Sequence, residues 1–184
     1  MVGKRSGLVV VVLLALGAPA EAAFQIGTRY LDDRPFEPDT DVLDINDSLY
    51  LSIWTDERVW GQMGVYEWAV VCEGSLATIS GGEAGPDAKS GVTFLGSTPS
   101  WLVPEEEHGQ WGVIQGEELE PGLYLDKFVY KPLSVGGVTV RLYEISYSTG
   151  AIEGVPDSIV IHQVPEPVTI GFLGLGGLFV LRRK

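Results

Sequence analysis

Between Ser48 and Thr55 apolar and polar residues alternate without a break. Leu49, Leu51 and Ile53 fall on one side, and Ser48, Tyr50, Ser52 and Trp54 on the other. A period of two over that length predicts a half-buried strand. Val65 to Cys72 is apolar on both sides: Tyr66, Trp68, Val70 and Cys72 against Val65, Ala69 and Val71. A strand greasy on both faces is expected in the middle of a sheet. Val138 to Ile145 alternates again, setting Val138, Val140 and Leu142 against Thr139, Arg141 and Tyr143.

Weaker strand signals fill the gaps at Phe24–Tyr30, Val42–Ile45, Leu76–Ile79, Val92–Leu95, Trp111–Gln115, Leu123–Lys131 and Ser158–Val164. Turn formers separate them. Asp32 to Asp39 holds two prolines, Gly81 to Pro86 is a glycine-rich cluster read as a turn, and Pro121-Gly122 and Gly136-Gly137 mark two more. Trp101 to Gly109, with Pro104 and the run Glu105-Glu106-Glu107, reads as a loop with room for one helical turn. No stretch of the body sustains a 3.6-residue apolar stripe. Many short strands with Gly/Pro punctuation predict an all-β, two-sheet antiparallel sandwich.

The two ends follow a different pattern. Lys4-Arg5, the apolar run Leu8–Leu16 and the small-residue site Ala20-Glu21-Ala22 have the order of a secretory signal peptide, placing cleavage after Ala22 or Ala23. The competing reading is an uncleaved anchor, which the short apolar core disfavours. At the other end Pro165-Glu166-Pro167 precedes an uncharged run from Val168 to Leu181, then Arg182-Arg183-Lys184. A basic cluster after an apolar segment stays on the cytoplasmic side. The expected division is signal peptide 1–22, sandwich 23–164 and a tail with an apolar helix over 165–184.

That tail resembles the PEP-CTERM sorting signal of bacterial envelope proteins. The resemblance implies processing near Pro165-Glu166-Pro167 by an exosortase, a membrane-embedded transpeptidase-like enzyme. The apolar run is shorter than the roughly 20 residues of a spanning helix. Gly171, Gly174, Gly176 and Gly177 lower its helix propensity but leave a small-residue face for docking in a membrane. A plain hydrophobic anchor is the alternative. The partners implied are the exosortase, signal peptidase, the secretory machinery and, before processing, the membrane. The expected location is the bacterial cell envelope, at its outer surface or outside the cell.

The body resembles a cohesin-type jelly-roll. The residues are Asp47 to Trp54, Gly64 to Val71, Gly122 to Tyr130 and Gly137 to Leu142. These are sheet-packing motifs, and they imply a binding or scaffolding sandwich. No dockerin-recognition signature is carried over at residue level.

Charge narrows the class of partner. The chain is −13 at pH 7, with 12 Lys+Arg against 25 Asp+Glu. Setting aside Lys4, Arg5, Arg182, Arg183 and Lys184 with Glu21 and Glu166 leaves 7 basic and 23 acidic residues, a net near −16. Nucleic acid is excluded for want of a basic stripe, and so is simple adhesion to anionic lipid. With the single cysteine Cys72, no intrachain disulfide forms.

Candidate chemistry is sparse. No Gly-x-Ser-x-Gly elbow occurs. The histidines are His108 and His162, and pairing either with Cys72 is arithmetically open, although a cysteine on an apolar strand is ordinarily structural. No enzyme activity and no cofactor are expected. Asp39, Asp41, Asp44 and Asp47 are candidate calcium ligands, but without EF-hand spacing they read more simply as a solvated loop with Asx turns. Glu105-Glu106-Glu107 and Glu117, Glu118 and Glu120 are read as facing water. Of five tryptophans, Trp54 and Trp68 are expected to pack, while Trp60, Trp101 and Trp111 lie at or beside loops. Rim packing is one role for those three. The other is a ligand platform for a polysaccharide or another envelope protein.

Overall fold

In the computed structural model, the structure describes residues 24–60 and 63–165. The residues expected to form a signal peptide, with Ala20 and Ala22, and Glu166 to Lys184 of the expected sorting signal lie outside the described residues. The described chain is all β. β1 (Gln25–Tyr30), β3 (Leu49–Thr55), β10 (Gly122–Pro132) and β6 (Ala77–Ala84) form a four-stranded sheet in the order β1-β3-β10-β6. β2 (Leu43–Asp44), β12 (Ile152–Val164), β11 (Gly136–Ile145), β5 (Val65–Glu73), β8 (Glu107–Gln115) and β7 (Val92–Ser97) form a six-stranded sheet in the order β2-β12-β11-β5-β8-β7. β4 (Val59–Trp60) and β9 (Glu118–Leu119) pair as a short ribbon.

The sheets face each other across one core. Leu49, Leu51 and Ile53 of β3 are buried, as are Trp68, Val70 and Cys72 of β5 and Val138, Val140 and Leu142 of β11. Each fully buried aliphatic side chain contributes about 1.5–3 kcal/mol. Trp68 stands edge-on to Phe128 (5.4 Å between ring centres) and to Phe94 (5.8 Å), tying β5 to β10 opposite and β7 at the edge. One side of the sandwich is closed where the Ile26 amide donates to Asp157 Oδ2 at 2.7 Å.

Three local expectations change. The cluster Gly81–Glu83 is not a turn: β6 runs through it, and Gly81 and Gly82 take φ of 71° and 108° as the strand bends over the Phe128 ring. Glycine marks a turn and a bend inside a strand with the same residue. β8 begins at Glu107, inside the stretch read as a loop, where the buried Glu107 side chain accepts a hydrogen bond from the half-buried Arg141. The pairing is not wholly antiparallel, since β2 adds to β12 in parallel at Gln163–Leu43 and Val164–Asp44.

Candidate functional site: the roofed face of the six-stranded sheet

β5 is apolar on both faces because its outer face is covered too. The segment between β7 and β8 crosses over that face as a strap. Its Leu102 and Val103 are buried against Ala69, Val71, Tyr143 and Ile145, with Trp111 packed beside them. The strap is fastened at both ends. The Thr98 amide donates to the Gly109 carbonyl (3.0 Å) and the Gly109 amide to Thr98 Oγ1 (3.0 Å), while the Glu107 amide donates to the Pro104 carbonyl (2.8 Å). Gly109 is required here, because a Cβ at that position would lie 2.0 Å from the Val70 carbonyl oxygen.

Under the strap lies a charged cluster that corrects one expectation. Glu107 does not face water: its side chain is only 5% exposed, and it accepts a hydrogen bond from Arg141 of β11. Arg141 also reaches Glu73 at 3.3 Å. The Tyr143 hydroxyl is pushed up to about 12, first by burial and then by its hydrogen bond with Glu107. Glu107 Oε2 has no hydrogen-bond partner among the described residues. The neighbouring Glu105 and Glu106 are exposed, as expected. Glu67 lies on the same face, 8% exposed, and burial raises its pKa. No lysine or arginine pairs with it among the described residues.

Trp101 rides on this strap. It is 67% exposed, and its ring meets the half-buried Trp111 of β8 edge to face, at 6.0 Å and 86°. Gly150, in the turn after β11, comes up against the same indole, 3.5 Å from where its Cβ would be. The structure therefore brings two of the three loop tryptophans together, as a corner and not as a coplanar row. Trp60, 65% exposed, sits apart on the β4–β9 ribbon, where Arg58 bonds Glu118 (2.8 Å) and Glu120 (2.9 Å). Trp54 is half-buried, with its indole beside Gly27.

The other candidates are placed as follows. Asp41 Oδ2 accepts the Glu37 amide (2.9 Å), and Asp44 Oδ1 accepts the Asn46 amide (2.9 Å). The Asp47 amide donates to the Asp44 carbonyl (3.0 Å), and Asp39 lies in the preceding turn. Among the described residues no group of three or more His, Cys, Asp or Glu side chains is gathered as a metal ion would need. Cys72 and His108 do meet, as cross-strand partners on β5 and β8, with Sγ 3.5 Å from Nε2. The pair is not built as a nucleophile and base. Nε2 lies 2.9 Å from the Ala77 carbonyl, an acceptor only, so that nitrogen donates and cannot take a thiol proton. Cys72 is fully buried, and burial pushes its thiol up to about 12. His108 borders a hollow of about 460 Å³ at the end of the sandwich, with Ala77 and Leu133. His162 is on β12, paired with Gly137.

Sequence reasoning placed Trp101 and Trp111 near each other only as loop neighbours, and it missed Arg141 and Glu67 as members of one face. The parity of β5 and β11 held that information: Glu67, Ala69 and Val71 share a side, as do Arg141 and Tyr143.

Fold and site together describe an all-β sandwich of two facing sheets with a short two-stranded ribbon beside them. Among solved structures, the chain is similar to the seventh ScaB type I cohesin of Pseudobacteroides cellulosolvens, at 6% identity and TM-score 0.42, covering 78% of this chain and 93% of that one. It is also similar to a chain of a type I cohesin–dockerin complex, Coh-OlpA-Doc918, of Clostridium thermocellum, at 8% identity and TM-score 0.39, covering 76% and 99%. No family model matches the sequence, and no curated protein does.

Proposed function

We propose that the body is a non-catalytic binding module for a protein partner, and that it engages that partner through the outer face of the six-stranded sheet at Trp101. One observation carries the reading. The chain spends a buried, doubly fastened strap on holding a 67%-exposed indole against a second one. An indole so exposed contributes little to the core. Held in one orientation, it is a typical anchor for a partner, since tryptophan dominates interface energetics and ordering costs are already met.

We also propose that the module is exported and sorted by an exosortase. The order of Pro165-Glu166-Pro167, apolar run and Arg182-Arg183-Lys184 supports this, as does the position of β12, which ends at Val164 immediately before the tripeptide.

Trp101→Ala and Trp60→Ala test the binding face. Each residue is mostly exposed, so both variants should melt with the native protein. Capture of envelope proteins from the producing cell, followed by titration of the captured partner, should weaken by about tenfold or more for Trp101→Ala. Trp60→Ala should bind as the native chain does. Equal capture by the native protein and Trp101→Ala removes this face as the site.

A further inference from the structure

The same face has an electrostatic bias that specifies its partner. On this face Arg141 is held between Glu73 and Glu107, Glu67 lies further along the same side of β5, and Glu105 and Glu106 are exposed on the strap. Arg141 is itself occupied by Glu73 and Glu107. The face is thus aromatic and strongly acidic at once, in a body already near −16.

We propose that this face binds a basic peptide segment in extended form, with a lysine or arginine seated in the corner between Trp101 and Trp111; this rests on the binding-module reading above. A cation is attracted to the face of an indole, and the attraction grows as water is excluded. Two rings set at 86° offer such a cation the face of one and the edge-side shelter of the other, whereas a sugar ring would use a flat, coplanar surface. Charge complementarity then sets the second contact. Trp111 and Glu107 are four residues apart on β8, about 13 Å along a strand. A second basic side chain four positions along an extended partner reaches the exposed Glu105–Glu106 end of the strap. An acidic or neutral segment lacks both contacts and meets repulsion or indifference.

The probe is a short Ser/Gly peptide carrying two arginines at that spacing. Its controls are the same peptide with citrullines and with glutamates, and a neutral insoluble polysaccharide. Binding is read by tryptophan fluorescence and calorimetry on the signal-free body. The arginine peptide should bind, the controls should not, and affinity should fall as salt rises toward physiological strength, where screening acts within about 8 Å. Trp101→Ala should weaken it by about tenfold, and Glu105→Gln/Glu106→Gln by a few-fold. Trp60→Ala should not change it. If Trp101→Ala keeps full affinity, the attraction is diffuse charge and the proposal falls. If the polysaccharide binds and Trp101→Ala abolishes that, the basic-peptide assignment is overturned while this face stands as a binding site. If neither probe binds while an envelope protein is still captured through Trp101, the partner is not basic and only this inference fails.

Discussion

Glu67 shows how one carboxyl on this face couples stability to pH. Its burial between its cross-strand neighbours Ile145 and Val113 raises its pKa above the ordinary carboxylate value. A carboxyl raised on folding binds its proton more tightly in the native state than in the unfolded one. Its stabilising contribution is complete below the unfolded pKa and is lost as pH rises through the folded pKa. Glu67→Gln keeps the neutral form at every pH. The variant should therefore melt above the native protein at pH 7, and the gain should vanish near pH 4. Thermal melts at the two pH values check this, and a gain of equal size at both would assign it to packing instead. Glu107, on the same face, is paired with Arg141. Removing Arg141 would leave the Glu107 carboxylate enclosed without compensation.

At the scale of strands, β3, β5 and β11 were legible in the sequence because their periodicity is local. β3 alternates, and β5 is apolar on both sides. The structure supplies the reason for β5: the core covers one face and the strap the other. What was illegible depended on distance. Glu107 reads as a solvated acid until Arg141, 34 residues away, is brought across β5 to meet it. The strap's role in turning Trp101 outward depends on Leu102 and Val103 finding Tyr143 and Ile145, which no local pattern announces. The β6 glycines were misread because a bent strand and a turn use the same residue. Gly82 also carries a testable demand. Its φ is 108°, and a Cβ there would lie 2.4 Å from the Phe128 ring, which is locked against Trp68. Gly82→Ala should therefore cost about 2–4 kcal/mol, combining backbone strain with overpacking. Urea unfolding measures it, and a loss under about 0.5 kcal/mol would mean that β6 relaxes away from the core.

For the whole molecule, the decisive junction is where the described fold ends and the proposed sorting signal begins. β12 is held to its last residues. Val164 pairs with Asp44 in parallel, and its carbonyl accepts the Ile45 amide at 3.1 Å. Gln163 is 2% exposed, with its amide oriented so that its oxygen accepts from the Tyr130 hydroxyl while its nitrogen donates to the Leu76 carbonyl (3.2 Å) and to Ser134. That side chain joins β12 to β10 of the opposite sheet and to the turns at this end of the sandwich. A cut upstream of Val164 would remove these bonds and leave the Tyr130 hydroxyl buried without its partner, at about 1–3 kcal/mol per group. A cut at the tripeptide leaves them all in place. The mature product should therefore end at or beyond Val164, which intact-mass measurement on protein from a cell with an active exosortase decides. Gln163→Ala should lower stability by about 1–3 kcal/mol and make the C-terminal strand prone to proteolysis. A mature chain that ends before Gln163 yet melts with the full-length body would show that β12 is dispensable, and the fold and its sorting signal would then not meet at this strand.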